Sequence, residues 1–184
     1  NFYQVLNLDY FLMLYENQLV LTGAVNDVGN YTRTNIAKSK REGVELEGQW
    51  TPSEKLLMKG NVSFSKSNIN EFREYYDDYD NGGQILEIYR NTDIAFSPDV
   101  TAFLNTTWIP VKQLELSLTN RYVGKQFLDN TSNNNKSIDP FFVNDFRLTW
   151  TMQPKFMKAI SFSLMMYNML DETYESNGYT FSYF

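Results

Sequence analysis

The chain has 184 residues with a formal net charge of −6, and 42% of its residues are hydrophobic. This length and composition suffice for a domain with a sizeable core and argue against disorder. The chain has no cysteine and no histidine, which excludes disulfides and histidine-based catalytic or metal sites. No apolar run approaches the roughly 18 residues that a transmembrane helix needs. Since no phosphate-binding or nucleophile motif is found either, we expect neither an enzyme nor a cofactor.

Acidic residues are concentrated in one part of the chain. Residues 66–99 contain eight acids and three bases, which leaves them with −5 of the net charge of −6. This balance disfavours a nucleic-acid partner, because phosphate binding needs a basic face. We interpret the stretch as a solvated acidic loop.

Apolar and polar residues alternate with a period of two, which predicts strands rather than helices. Phe11 and Phe103 are exceptions, because each interrupts a polar face. Several predicted strands exceed the five to six residues typical of soluble domains and reach the roughly nine to eleven that cross a bilayer. The seven predicted strands cover about residues 3–16, 38–50, 56–68, 99–109, 114–127, 140–151 and 160–170.

The connections between these strands alternate between long and short. The long ones, residues 17–37, 69–98 and 128–139, are polar and rich in Asn, Asp, Gly and Ser. Outer-membrane barrels show this asymmetry, with tight turns on the periplasmic side and large loops outside. Each short connection contains a proline, and together they are residues 51–55, 109–113 and 152–159.

Trp50, Trp108 and Trp150 each end a predicted strand at a short turn, on its apolar face. Tryptophan prefers the membrane–water interface, so we interpret the three as a membrane-interface girdle on the periplasmic side. The alternative is three core tryptophans at one end of a β-sandwich. In the barrel interpretation the opposite faces line a wet or plugged lumen; their polar residues are Glu45, Glu47, Gln49, Lys59, Asn61, Glu115, Arg121, Asp145 and Arg147.

Motifs at both ends of the chain carry a family resemblance. Residues 10–23, 26–35 and 37–47, the last containing Arg41-Glu42-Gly43-Val44-Glu45, resemble the late barrel of TonB-dependent outer-membrane receptors. Tyr167-Asn168-Met169-Leu170-Asp171-Glu172-Thr173-Tyr174 is similar to an Asn-hydrophobe-Leu-Asp-x-x-Tyr element of that family. The following residues 176–179 resemble Bacteroidetes-type versions.

The resemblance implies an all-β, antiparallel, up-and-down transmembrane barrel of 22 strands, filled by an N-terminal plug domain. Residues 1–184 are expected to be the C-terminal part of this barrel domain, about seven strands, without the plug or the final strand. The implied location is the bacterial cell outer membrane. The implied partners are outer-membrane lipid, the rest of the barrel, the plug, and the TonB complex through the missing N-terminal part.

The implied function is TonB-dependent active uptake of a scarce nutrient. We favour an iron–siderophore type of ligand over a glycan, although the small molecule itself is not identified. A glycan-importing receptor of the same family is one alternative. A soluble extracellular carbohydrate-binding β-sandwich is another, and it would bury the Leu, Phe and Trp faces against a second sheet, whereas the barrel turns them towards lipid.

Aromatic residues in the acidic stretch are candidate ligand contacts, since tyrosine offers a large contact area and a hydroxyl group. Equally, they could form an upper girdle or pack loops together. The candidates are Tyr75, Tyr76, Tyr79 and Tyr89.

Asp78 and Asp80 imitate the start of a calcium-binding loop. Gly82 and Tyr89 stand where that loop requires further ligands, so the match is weak and a solvated turn is the expected structure. We assign no other metal ligands.

Overall fold

Nearly all strands of the molecule pair antiparallel with a neighbour close in sequence. The computed structural model describes residues 3–78 and 80–180. In these ranges the strands are β1 (Tyr3–Val25), β2 (Tyr31–Ser53), β3 (Leu56–Asp77), β4 (Gln84–Asp93), β5 (Val100–Val111), β6 (Leu114–Val123), β7 (Gln126–Phe127), β8 (Ser137–Ile138), β9 (Phe141–Met152) and β10 (Ile160–Met166).

One large sheet contains eight of these strands. Its order is β1-β2-β3-β5-β6-β9-β10. Along β3, residues 56–64 pair with β5, and residues 68–77 pair with β4. The strands β7 and β8 form a separate small pair. Among the residues that the structure describes, no helix is long and apolar enough to cross a membrane.

All seven predicted strands are present, but several predicted boundaries are wrong. Residues 17–37 are not a loop, because β1 and β2 continue through them to a tight turn at residues 26–30. Residues 69–98 contain the end of β3 and all of β4, which was not predicted. The predicted strand 114–127 is interrupted after Val123, and the predicted strand 160–170 already ends at Met166.

A left-handed asparagine explains why the first strand was predicted too short. Asn17 has a φ of 55°, a conformation that asparagine tolerates better than most residues. In β1 the half-buried side chains are odd-numbered up to Tyr15 and even-numbered at Gln18 and Val20. The strand therefore continues, but the alternation that reveals it changes phase. In β4 the sheltered side chains likewise change from odd-numbered at Tyr89 to even-numbered at Thr92, on either side of Asn91, which has a φ of 53°.

The prolines of two short connections lie in the strands rather than in the turns. Pro52 and Pro110 fall where the pairing register shifts, between Trp50 and Ser53 and between Trp108 and Val111. Proline has no N–H group for the ladder, so an irregular strand end is where it fits.

Phe11 interrupts the polar face of β1 for a structural reason. It lies opposite Gly43, and a Cβ atom built on Gly43 would come within 2.7 Å of the Phe11 ring. The ring therefore covers a backbone position that has no side chain of its own, as aromatic residues do beside glycines in strands.

The apolar face of the sheet is uncovered. Leu8 and Leu14 expose 70% and 74% of their surface, and the three tryptophans are about half exposed. The described residues contain no second large sheet that packs against this face. Apolar side chains on a sheet of this size need a cover, so this surface must meet lipid or another apolar partner.

The three tryptophans lie on a slanted line across the sheet. Trp50 is opposite Met58 of β3, whereas Trp108 is opposite Leu56, two residues nearer the turns. The same two-residue step separates Trp150 from Trp108. A step of about 6.7 Å over two strand spacings of about 4.8 Å corresponds to a strand tilt of roughly 35°. That tilt, which is typical of transmembrane barrels, would bring the three rings to one height.

The buried core lies at the opposite end of the sheet. It consists of Val20, Ile36, Ile69, Phe72 and Ile94, with Tyr89 packed against them. The pairing of β2 with β3 stops at the pair Ser39 and Ile69, so the outer half of the β1–β2 hairpin leaves the sheet there. It packs on β3 and β4 through its side chains instead.

We predict that Asn17→Val lowers the free energy of unfolding by about 1–2 kcal/mol, because a β-branched residue is strained at positive φ. Denaturant titration would measure the change. Asn17→Gly should cost less than Asn17→Val, and Asn7→Val, the same substitution at a regular position of β1, should cost little. Equal losses for Asn7→Val and Asn17→Val would contradict the explanation.

Candidate functional site at the loop end of the sheet

Four segments that are distant in sequence meet at the end of the sheet away from the tryptophans. We call this assembly the cap, and it comprises residues 18–36, 66–99, 124–138 and 174–180. Hydrogen bonds join the segments: Phe96 N–H donates to Phe127 O, and Thr180 N–H donates to Gly23 O, both at 2.9 Å. The cap is therefore one folded unit rather than a set of separate loops.

Asn130 lies at the centre of the cap and is completely buried. Its Nδ2 donates to Leu21 O of β1 at 2.7 Å, and its Oδ1 accepts from the N–H of Ala95 at 2.9 Å. Both ends of the amide are thus used to join β1 to the segment that follows β4. A buried amide without these partners would be costly, so the pairing fixes the positions of both segments.

A buried charge next to it is paired. Asp129 is 1% exposed and forms an ion pair with Lys136 at 2.9 Å. Its other carboxylate oxygen accepts from the N–H and the hydroxyl of Thr131, at 3.0 and 2.6 Å. Since buried ions are tolerated only when they are compensated, these contacts fix the conformation of the loop after β7.

Lys66 connects the same loop to the sheet. Its ammonium group lies 2.6 Å from Asp93 and 3.2 Å from Asp99. Ser132 donates to the other carboxylate oxygen of Asp93 at 3.0 Å and accepts from its backbone N–H at 2.7 Å. The acidic residues here balance a lysine rather than forming an open anionic surface.

Gly23 is required by a close approach of two chain segments. Its φ is +90°, and a Cβ atom at this position would lie 2.7 Å from Cβ of Asp129 and in contact with the carbonyl oxygen of Leu128. Only glycine combines this backbone conformation with the absence of a side chain.

The Asn168 motif forms a turn. Asn168 Nδ2 donates to Glu172 O at 2.9 Å, and its Oδ1 accepts from the N–H of Glu172 at 3.0 Å. Asn168 itself has a φ of 47°. This turn ends β10 at Met166 and leads to Tyr174, which stacks on Phe141 with ring centroids 4.5 Å apart. The motif that suggested the family therefore has a structural role.

The structure does not bring the candidate tyrosines together on one surface. Tyr76 is buried and its hydroxyl lies 3.0 Å from that of Tyr89, which packs against the core. Glu74 accepts a hydrogen bond from Tyr76, and Glu87 accepts one from Tyr89. Tyr75 is 58% exposed on the other face of the hairpin.

Tyr79 lies outside the described residues. For Tyr76 and Tyr89 the structure agrees with the packing alternative. Ligand contact by any of the four tyrosines stays a prediction.

Burial raises the pKa of Tyr76 well above its usual range, and its hydrogen bond to Glu74 adds to the effect. Burial likewise raises the pKa of Tyr89, with its hydrogen bond to Glu87 as the second cause. Each phenol keeps its proton because a phenolate would be poorly solvated next to a carboxylate.

Asp78 closes the turn between β3 and β4. One of its carboxylate oxygens accepts from the N–H groups of Asp80 and Asn81, at 3.1 and 3.0 Å. The hydrogen bond from the Asn81 backbone, followed by that from its side chain, lowers the pKa of Asp78. Within residues 3–78 and 80–180 no three acidic residues are grouped as metal ligands. Calcium binding by Asp78 and Asp80 stays a prediction.

Pairs of small hydroxyl groups cross the polar face of the sheet. Thr107 and Ser117 lie 3.1 Å apart, and Thr149 and Ser163 are also 3.1 Å apart. The polar face includes an ion pair between Arg121 and Asp145. This surface is hydrogen-bonded but not covered, as the wall of a wet lumen would be.

Comparison with known proteins identifies the fold family. The family model for the TonB dependent receptor-like beta-barrel matches residues 1–169. The chain belongs to this family. No curated protein matches the chain.

Solved structures give the same fold for this TonB-dependent receptor barrel chain. The siderophore receptor PiuA from Acinetobacter baumannii matches 95% of the chain with 23% of its own length, at 20% identity and a TM-score of 0.68. The ferric yersiniabactin uptake receptor FyuA from Yersinia pestis matches 97% of the chain with 24% of its own length, at 20% identity and a TM-score of 0.69. The ferric-catecholate import receptor Fiu from E. coli K12 matches 93% of the chain with 21% of its own length, at 18% identity and a TM-score of 0.62.

The chain thus spans about a quarter of the length of these structures. The predicted fold class is confirmed: this is an antiparallel segment of a larger TonB-dependent receptor barrel. The β-sandwich alternative is wrong, because the family model of a receptor β-barrel matches residues 1–169. The Bacteroidetes-type assignment stays a prediction.

Sequence reasoning missed the residues that fix the cap, above all Asn130 and Gly23. Their partners are 109 and more than 100 positions away, so no local pattern reveals them. The only available signal was their residue type in a polar stretch, which fits any loop.

We predict that Gly23→Ala lowers the free energy of unfolding by about 1–3 kcal/mol more than Gly29→Ala. Both glycines have positive φ, so both variants carry the conformational cost of a Cβ atom there, but nothing lies within 4 Å of the Cβ position of Gly29. The difference between the two variants therefore isolates the packing of β1 on Leu128. Denaturant titration of both proteins would measure it, and identical values would refute the close approach.

We also predict that the cap loses stability above about pH 10, the pKa of tyrosine in an unfolded chain. The raised pKa of Tyr76 keeps its proton in the folded state, while the unfolded state releases it, so alkali favours unfolding. The loss should be smaller in Tyr76→Phe and unchanged in Tyr75→Phe, the matched variant at an exposed position. Unfolding curves at pH 8 and pH 11 (about one unit above that pKa) would decide; equal losses in all three proteins would be the contrary result.

Proposed function

We propose that the chain is part of a TonB-dependent receptor of the bacterial outer membrane that imports a scarce nutrient as an iron–siderophore type of complex. The observation that carries the proposal is the family match over residues 1–169 combined with an uncovered apolar face. The printed names of PiuA, FyuA and Fiu describe siderophore or ferric-chelate receptors, which supports this ligand type.

In this proposal the apolar face contacts outer-membrane lipid. At the end of this face near the short turns, Trp50, Trp108 and Trp150 form the membrane-interface girdle. Indole rings have an apolar body and one N–H donor, so they are most stable at the level of the lipid headgroups. The slanted row that they form on the sheet supports a common height on tilted strands.

The remaining partners follow from the same proposal. The outer edges of β1 and β10 would pair with further strands of the barrel, because an unpaired strand edge is not tolerated in lipid. The chain would form the C-terminal part of the barrel domain. The polar face would surround the plug domain, through which the TonB complex acts. The cap would lie on the extracellular side. There the side chain of Tyr75 is exposed, so a ligand could reach it.

Uptake of radioactive iron by intact cells tests this function. We expect deletion of the full receptor gene to abolish receptor-dependent uptake of iron bound to a siderophore, and re-expression to restore it only when TonB is present. Normal iron uptake together with loss of growth on one oligosaccharide would instead identify the glycan-importing type. Retention of the protein in the soluble fraction would refute the membrane location.

The lipid-facing surface allows a matched comparison within one strand. Gln4 of β1 lies opposite Trp50, and Leu8 is four residues further along the strand. In a tilted strand, this places Leu8 about 10 Å from the level of Trp50, near the middle of the apolar band. Leu8→Arg should destabilise the barrel by about 2–4 kcal/mol, because a charge would face hydrocarbon. Asp9→Arg, on the polar face of the neighbouring position, should be tolerated. The amounts of heat-modifiable barrel in the outer membrane would be compared, and equal amounts would speak against a lipid-facing surface.

A further inference from the structure

The outer half of the β1–β2 hairpin, residues 18–36, lies across the polar side of the sheet; we call it the hairpin arm. Its pairing with β3 ends at Ser39 and Ile69. Ile69 is on the same face of β3 as Lys59, since no irregularity separates them, and it is completely buried. Val20 and Ile36 of the arm belong to the core that covers it.

The arm is held from its far side by the loop after β7. Asn130 binds the carbonyl oxygen of Leu21 at 2.7 Å, and Gly23 fits directly against Leu128. Towards the tip, the Tyr31 hydroxyl donates to Gly178 O at 2.9 Å and also lies 2.8 Å from Asn177 Oδ1. These contacts come from two segments that are more than 90 residues away from the arm in sequence.

Moving the arm away would have two physical consequences at once. The Nδ2 group of Asn130 would lose its acceptor while its Oδ1 stays tied to Ala95. Ile69 and its apolar neighbours would become exposed to water. Both consequences cost free energy, so the contacts favour the closed position.

We infer that the hairpin arm is a fixed closure over this side of the receptor's mouth, shut without any ligand and pinned by Asn130. The inference rests on the proposed function, because the polar side of the sheet is the lumen only in a barrel. A ligand would then have to enter the lumen past other parts of the mouth, and the surface of the cap would be preformed when a ligand arrives.

Distance measurement between two spin labels tests this directly. The chain has no cysteine, so Val28→Cys on the tip of the arm and Ile88→Cys on β4 give one defined pair; both positions are exposed, at 78% and 47%. The arm is about 30 Å long, so a swing of about 20° would move its tip by roughly 10 Å. The full receptor would be labelled in outer membranes without ligand, after replacement of any cysteine elsewhere by serine.

Asn130→Asp removes one contact of the pin and keeps the other. A carboxylate still accepts from Ala95 N–H but cannot donate to Leu21 O, so the arm should be released while the loop stays attached. Asn135→Asp is the matched control, since it makes the same change at an exposed position of the same loop. Asn130→Ala provides a second variant with no added charge.

We expect one narrow distance distribution for the unmodified arm and for Asn135→Asp, and a distribution broadened or shifted by about 10 Å for both Asn130 variants. A broad distribution in the parent protein would overturn the closure, and this result needs no variant to fold. A narrow distribution in the Asn130 variants would overturn the role of the pin. Fractionation of the same cells before labelling separates the two proposals: a receptor found only in the soluble fraction that still gives a narrow distance there would contradict the proposed function and not the closed arm.

Discussion

A strand that crosses hydrocarbon has to satisfy each of its backbone N–H and C=O groups through a neighbouring strand. This constraint accounts for most of the molecule. It requires long strands in one continuous antiparallel sheet, an apolar face towards lipid and a polar face towards water. It also accounts for the position of Pro52 and Pro110 at irregular strand ends, where a missing N–H group does least harm. The described sheet is one wall that satisfies this rule internally except at its two outer strands.

The cap follows a different pattern, because in the proposed receptor it would be surrounded by water. There the chain buries a small apolar core and gives buried polar groups such as Asn130 and Asp129 partners within the protein, as a soluble domain does. In β1 the boundary between the two regimes is marked by Asn17, whose left-handed backbone conformation reverses the face on which a side chain is sheltered. One strand can therefore serve as barrel wall in its first half and as part of a folded cap in its second half.

This change of regime decides how much could be predicted from the sequence. In the wall, Leu8, Trp50 and Phe162 lie on an apolar face that alternates with a polar one, so the fold class and the seven strands could be predicted. The cap has no such alternation. Beyond Asn17 the phase changes, and in β4 apolar residues fall on both faces, as Ile85 and Leu86 show, so these parts resembled loops.

The candidate site was harder still to predict. Tyr76 and Tyr89 were selected because aromatic residues in a polar stretch suggest recognition, but the same residues are needed to fill a small core. Asn130 gave no signal, because its importance arises only from contacts with Leu21 and Ala95, far away in sequence. Long-range contacts of this kind are set by tertiary structure rather than by local preference.

The slanted row of tryptophans has a geometric consequence for any closed barrel built on this wall. A two-residue step every two strands is a displacement of one residue per strand. Continued around roughly 22 strands, it would accumulate to a shear of about 22 residues, or about 75 Å along the strand, at the seam where the sheet meets itself. Shear and strand number together determine the radius of a barrel. The register of a few hairpins in this chain would thus contribute to the bore of the whole receptor, and a single inserted residue in β3 would have to be absorbed by a bulge for the seam to close.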